Sequence, residues 1–175
     1  MGNGIQPNET AIYIVAADTN PSGVTSADRI TGEIENWSLS GGNQDVESVP
    51  VFGDGTTTAF LDKEKPREQF ELSFDVYINN TASSTLDRWD TYKFGTGLTS
   101  ATEGSAKAIF IESYTGTKYK SFAMNNCRAV TWEPGQAADD FLKGTITFKF
   151  SPTTSAGAAN LMTSSVQTTS LPNWS

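Results

Sequence analysis

The side chains able to do chemistry are spread unevenly along this 175-residue chain. Between residues 30 and 62 stand six carboxylates, Glu33, Glu35, Asp45, Glu47, Asp54 and Asp62, without one Lys or Arg among them. Two carboxylates can run a glycosidase, but no spacing here singles out a pair. The chain has no histidine, which removes the usual general base, the commonest metal ligand and every Ser-His or Cys-His nucleophile pair. Cys127 is the only cysteine, so no intrachain disulfide forms and no ordinary zinc site can be built. No catalytic residue, metal or cofactor is therefore expected. Strand side chains alternate faces, so Glu33 and Glu35 share one side if no bulge separates them, as do Asp45 and Glu47. The plainest reading of such a run is a solvated acidic face. Lys63-Glu64-Lys65-Pro66-Arg67 then ends it with three positive charges, an exposed loop on its own and a match for an acidic surface on another copy.

The whole chain carries a formal charge of −8 and has a pI near 4.4. An acidic surface repels the phosphate backbone, which argues against sequence-reading or ordinary duplex-binding roles. Hydrophobic residues make up 37%, the balance falling to Ser, Thr, Gly and Asn, so a thin two-layer β core with long loops is expected. No stretch approaches the roughly 18 apolar residues of a membrane span, and Met1-Gly2-Asn3-Gly4-Ile5-Gln6 lacks the basic and apolar regions of a secretory signal. No membrane association is expected.

The elements that must position these residues are mostly strands. Ala11-Ile12-Tyr13-Ile14-Val15-Ala16 is a buried-strand run. Residues 30–40 form a second strand whose apolar positions switch from even (Ile30, Ile34) to odd (Trp37, Leu39). That switch requires a bulge, placed at Gly32. Gly41-Gly42-Asn43 turns the chain into a third strand over 45–52, and residues 53–67 form a long loop. Residues 68–78 alternate without fault: Phe70, Leu72, Phe74, Val76 and Ile78 on one face, Gln69, Glu71, Ser73, Asp75 and Tyr77 on the other. One helix follows at about 85–94, with Ser84 as cap, Asp87 at capping-box spacing and Gly95 as its stop. Residues 107–114 and 117–124 read as a hairpin around Thr115-Gly116, followed by strands at 126–133 and 142–150. Trp37, Trp89 and Trp132 read as core residues, and Cys127 as an inert one.

That order, in an acidic, histidine-free chain of this size, resembles the tail tube proteins of tailed bacteriophages. The stretches that carry the resemblance are Ile30-Thr31-Gly32-Glu33-Ile34-Glu35-Asn36-Trp37-Ser38-Leu39-Ser40 and residues 68–78. The resemblance implies a mainly β fold: a two-sheet β-sandwich or partial barrel with one short flanking helix at about 85–94 and extended N- and C-terminal arms. It implies an N-terminal arm over 1–10, a tail-tube-like domain over 11–151 and a C-terminal arm over 152–175. Subunits would self-assemble into stacked rings, usually hexameric, with other tail proteins at the tube ends and DNA only in transit. The location implied is the virion tail, with assembly in the host cytoplasm. Under that reading Glu33, Glu35, Asp45 and Glu47 face the lumen and repel DNA, while Lys63, Lys65, Arg67 and Trp174 make inter-ring or inter-subunit contacts. Trp174 lies in an arm with no core of its own, where a large aromatic docks on a neighbour more readily than it stays in water. The alternative is a carbohydrate-binding β-sandwich, extracellular or virion-associated, with Trp and Tyr on one exposed face. The tube predicts polymerisation and the module a monomer.

Overall fold

The computed structural model describes residues 10–30, 33–43, 45–51, 59–64, 68–78, 88–95, 103–150, 162–168 and 170. Its strands are β1 (Thr10–Ala16), β2 (Arg29–Ile30), β3 (Ile34–Gly41), β4 (Val46–Val51), β5 (Ala59–Glu64), β6 (Phe70–Tyr77), β7 (Lys107–Tyr114), β8 (Tyr119–Gly135), β9 (Lys143–Phe150) and β10 (Met162–Gln167). The helix α1 spans Arg88–Phe94.

Eight strands make one open antiparallel sheet in the order β2-β1-β7-β8-β9-β6-β3, with β10 added to β8 as a branch. The sheet becomes two layers because β8 is 17 residues long and belongs to both. Its first part pairs with β7, from Tyr119 to Cys127, and its second with β9, from Arg128 to Gly135. Between them Asn126 takes a left-handed conformation (φ 54°), which a side chain other than glycine rarely adopts. Asn125 braces that point. Its side chain accepts the backbone N–H of Asp18 and donates to the Asp18 carboxylate, both at 2.9 Å, and Asp18 is itself left-handed (φ 63°). The strands expected separately at 117–124 and 126–133 are thus one bent strand.

The main core lies between the layers. Ile12, Ile14, Ile109, Ile111 and Met124 from the first layer meet Leu72, Phe74, Val76, Ile146, Phe148 and Phe150 from the second, with Trp89 and Trp132 beside them. Phe70 stacks on Phe150 at 5.4 Å and Phe74 meets Phe148 edge-on at 6.1 Å, the ring geometries aromatic pairs favour. The alternation over 68–78 holds: Leu72, Phe74 and Val76 are buried and the residues between them half-buried. A second cluster, Ala11, Tyr13, Val24, Ala108 and Phe110, covers the other face of β1 and β7. Both faces of those strands are therefore apolar, which is why Ala11–Val15 is an unbroken apolar run.

Two expectations change. The bulge falls not at Gly32 but between Ile34 and Asn36, where the β3–β6 register shifts; the parity switch was real and its place two to three residues later. The turn Gly41-Gly42-Asn43 does not fold β3 back onto β4. Instead β3 pairs with β6, and β4, the strand expected over 45–52, pairs in a separate two-stranded ribbon with β5, which lies inside what the sequence presents as loop. The turn itself explains this. Gly41 and Gly42 have φ of 87° and 75°, and a Cβ at Gly42 would lie 2.2 Å from the Phe70 ring. Asn43 C=O accepts the N–H of Glu68 at 2.9 Å. The turn is bonded to the start of β6, so the chain leaves the sheet.

Candidate functional site

With one face of the second layer turned to the core, its other face is polar in every row. Across β3, β6, β9 and β8 the register sets Asn36, Asp75, Thr145 and Glu133 side by side, then Ser38, Ser73, Thr147 and Thr131, while Glu71, Lys149 and Arg128 continue from Ser40. The hydroxyls of Ser73 and Thr147 bond at 2.9 Å, and Lys149 pairs with Glu71 at 2.6 Å. Asp75 accepts from Thr145 at 2.8 Å and from Asn36 at 3.4 Å. At one end of this face lies a shallow hollow of about 300 Å³ lined by Glu35, Asp75, Glu133 and Lys143 with Gly135, Gly144 and Thr145. Lys143 pairs with Asp140 at 2.9 Å, which raises the lysine pKa and lowers that of the carboxyl, chiefly through their hydrogen bond. Among the described residues no group of three or more His, Cys, Asp or Glu is arranged to hold a metal, and no helix is long and apolar enough to cross a membrane.

The four acidic candidates do not share one surface. Glu35 is the bulge residue, exposed, and borders the hollow. Asp45 and Glu47 are exposed at and just inside the start of the ribbon. Glu33 is 3% exposed and bonded to Arg88 Nη1 at 2.9 Å, so the expectation that it faces a lumen is corrected to a buried tie between the β2–β3 crossover and α1. Two things move it inside: the chain is passing from one layer to the other, and Arg88 at the start of α1 supplies a counter-charge. Burial raises the Glu33 pKa, and Arg88 works against that rise. The Trp89 indole N–H also faces this carboxyl and helps hold it ionised, at a geometry short of a formed hydrogen bond. Nearby Tyr92 has its pKa pushed up to about 12 by burial. The helix is further tied by Trp132 Nε1, which donates to Asp90 at 2.5 Å, and by Gly104 N–H, which donates to Lys93 C=O at 2.9 Å.

Of the cationic candidates, Lys63 falls in β5 with its backbone directly opposite Glu47, setting an acidic and a basic residue together in the ribbon ladder. Lys65, Arg67 and Trp174 lie outside the described residues, as do Ser84 and Asp87 of the expected helix cap. Sequence reasoning missed Arg88 and the polar face of β8; for β9 the alternation of Ile146, Phe148 and Phe150 with Thr145, Thr147 and Lys149 already marks the polar face.

Two edges complete the geometry. Among the described residues β3 ends the sheet and pairs with β6 alone, and residues 128–135 of β8 have β9 as their one strand partner. These edges bound opposite sides of the same four-stranded layer. Three antiparallel steps separate them, so they run in opposite directions.

No family model and no curated protein matches the chain. Solved structures do. A chain of the sheath/tube terminator of the PVC extracellular contractile injection system, in its extended state, superposes with a TM-score of 0.53 at 12% identity, over 92% of this chain and 97% of that one. A chain of the extended sheath-tube complex of that system gives 0.53 at 14%, covering 93% of each. A chain of the SPP1 tail tube gives 0.51 at 8%, over 95% of this chain and 80% of that one. The chain therefore has the fold found in tail tubes and tube terminators of phage-like injection machines, as its sequence texture implied.

Proposed function

We propose that this chain is a structural, non-enzymatic subunit of a phage-like tail, assembling with copies of itself into stacked rings, sixfold in symmetry, that form a DNA conduit. The observation that carries the reading is the pair of open edges on the second layer. In a ring, β3 of one copy meets residues 128–135 of the next, and the antiparallel sheet continues from subunit to subunit without an exposed edge. The polar face then lines the channel. A carbohydrate-binding module would present aromatics there, whereas this face carries Ser, Thr and charges, with Tyr77 at one end. Glu35, with Asp75 and Glu133, gives one end of the lumen its negative potential, and Asp45 and Glu47 extend it toward the ribbon. Summed around several rings, that potential keeps DNA phosphates off the wall. The ribbon, with Val46 59% exposed and Lys63 beside Lys65 and Arg67 in sequence, reaches the neighbouring ring. Other tail proteins cap the tube, the mature location is the virion, and assembly takes place in the host cytoplasm.

Electron microscopy of the purified protein tests the assembly: rings or tubes are expected, and a monodisperse monomer at high concentration overturns it. Glu35→Lys and Glu47→Lys test the lumen, scored separately for tubes and for DNA delivery. Normal tubes with impaired delivery are expected. Unimpaired delivery through normal tubes refutes the acidic-lumen assignment, and failed assembly reassigns these residues to an interface.

A further inference from the structure

Six residues of the expected C-terminal arm form β10, which among the described residues pairs with β8 alone, from Met162 opposite Met124 to Gln167 opposite Tyr119. Its sequence, Met-Thr-Ser-Ser-Val-Gln, has two large apolar side chains, and Val166 is 60% exposed. The Val166 side chain therefore adds little to the hold of the backbone ladder on β8. That ladder is the same whether strand and edge belong to one chain or to two.

The connection is long for its task. β9 leaves β8 at Arg128 and β10 joins it at Met124. Four residues of strand separate those points, about 13 Å at roughly 3.3 Å per residue. The eleven residues 151–161 join them, and a chain of that length spans up to roughly 36–40 Å. Connections in compact domains run to about 4–6 residues, and about five would close this gap.

Resting on the tube reading above, we propose that in the assembled tube β10 pairs in trans, completing the β8 edge of a neighbouring copy while each copy receives a strand in return. The exchange conserves every ladder hydrogen bond, the general reason swapped elements cost little. Loop-closure entropy grows only slowly with length, so the slack costs little too. Copies held side by side raise the effective concentration of the donated strand. Trp174, seven residues beyond the end of β10, would be delivered to the acceptor copy with it.

The test places a disulfide across the β8–β10 ladder at the directly opposed pair, Ala123→Cys with Thr163→Cys, in a Cys127→Ala background. Antiparallel partners lie about 4.5–5.5 Å apart at Cα, within reach of a disulfide. Tubes assembled under reduction, then oxidised and denatured without reductant, should give a ladder of covalent oligomers that collapses to monomer on reduction. Tubes that yield monomer alone overturn the exchange and leave the tube reading standing. A protein that forms no tubes overturns both. A second variant guards against a cysteine pair that folds poorly: removing residues 153–158 leaves a connection long enough for the cis pairing and too short for a neighbour. It should stay folded and lose tube yield at least tenfold, and wild-type yield from it overturns the proposal.

Discussion

β1 and β7 in the first layer are buried on both faces, whereas β6 and β9 in the second are buried on one. In β7, residues 108 to 113 are all buried, Ile109 and Ile111 toward the main core and Ala108 and Phe110 toward the second cluster. In β9, Ile146, Phe148 and Phe150 are buried while Thr145, Thr147 and Lys149 are not. Closing the core needs one apolar face per layer. The first layer spends its second face on more packing; the second layer keeps three rows of hydroxyls, amide and charges there. A face left polar across four adjacent strands stays open to water, and that asymmetry separates the layer packed on both sides from the layer packed on one.

The sharpest way to break this comparison is to truncate matched positions. Phe74→Ala and Phe110→Ala should each cost about 3–5 kcal/mol and leave mostly insoluble protein, because both rings are buried, one in each cluster. On the polar face Ser73→Ala, which removes the bond to Thr147, should cost within about 1 kcal/mol, and Asp75→Asn should fold normally. Urea denaturation decides. If Phe110→Ala proved as mild as Ser73→Ala, the outer cluster would not be a core and the two layers would be alike.

A smaller effect sharpens the boundary between the faces. A Cβ on Gly144 would lie 2.4 Å from the Trp132 ring, so Gly144→Ala should overpack the core side of β9 and cost about 1–3 kcal/mol. Thr145→Ala next to it should cost less. Equal melting temperatures for the two variants would show that the Trp132 ring moves aside freely.

The smallest effect is electrostatic. Burial raises the Glu33 pKa above its unfolded value, with Arg88 offsetting part of the rise. The native state therefore holds this proton more tightly than the unfolded chain. The associated stability is fully present below the unfolded carboxyl value, about 4.3, and fades as pH rises through the higher native value. Between wild type and Glu33→Gln, the difference in urea midpoint should shift in favour of wild type as the buffer is acidified across that window. A difference constant with pH would mean the carboxyl titrates as if in water.

Much of this was legible in the chain. Residues 68–78 fixed their own face because a half-buried strand must alternate, and the even-to-odd switch from Ile34 to Trp37 demanded a bulge. Sequence placed that bulge at Gly32 because glycine is where bulges are cheap, but the register shifts around Glu35 instead. The pairing of β3 was illegible. Gly41-Gly42-Asn43 has hairpin chemistry, and only its bonds to Glu68 and packing on Phe70, from a segment 25 residues on, send the chain elsewhere. Glu33 was misplaced for a similar reason: its partner Arg88 is 55 positions away and belongs to a helix. Charge patterning counts carboxylates but does not see which of them a distant cation has drawn inside.

The shared strand β8 also has a mechanical meaning. A pull along it from one end is resisted by β7, β9 and β10 in shear, where ladder bonds lying across the strand stretch together and must fail as a group. The β4–β5 ribbon, drawn apart at its open end, would unzip one rung at a time. Tension applied at the second-layer edge therefore travels through continuous covalent backbone into the first layer without crossing a joint. The stiff axis of the fold lies along β8, and the ribbon is its compliant part.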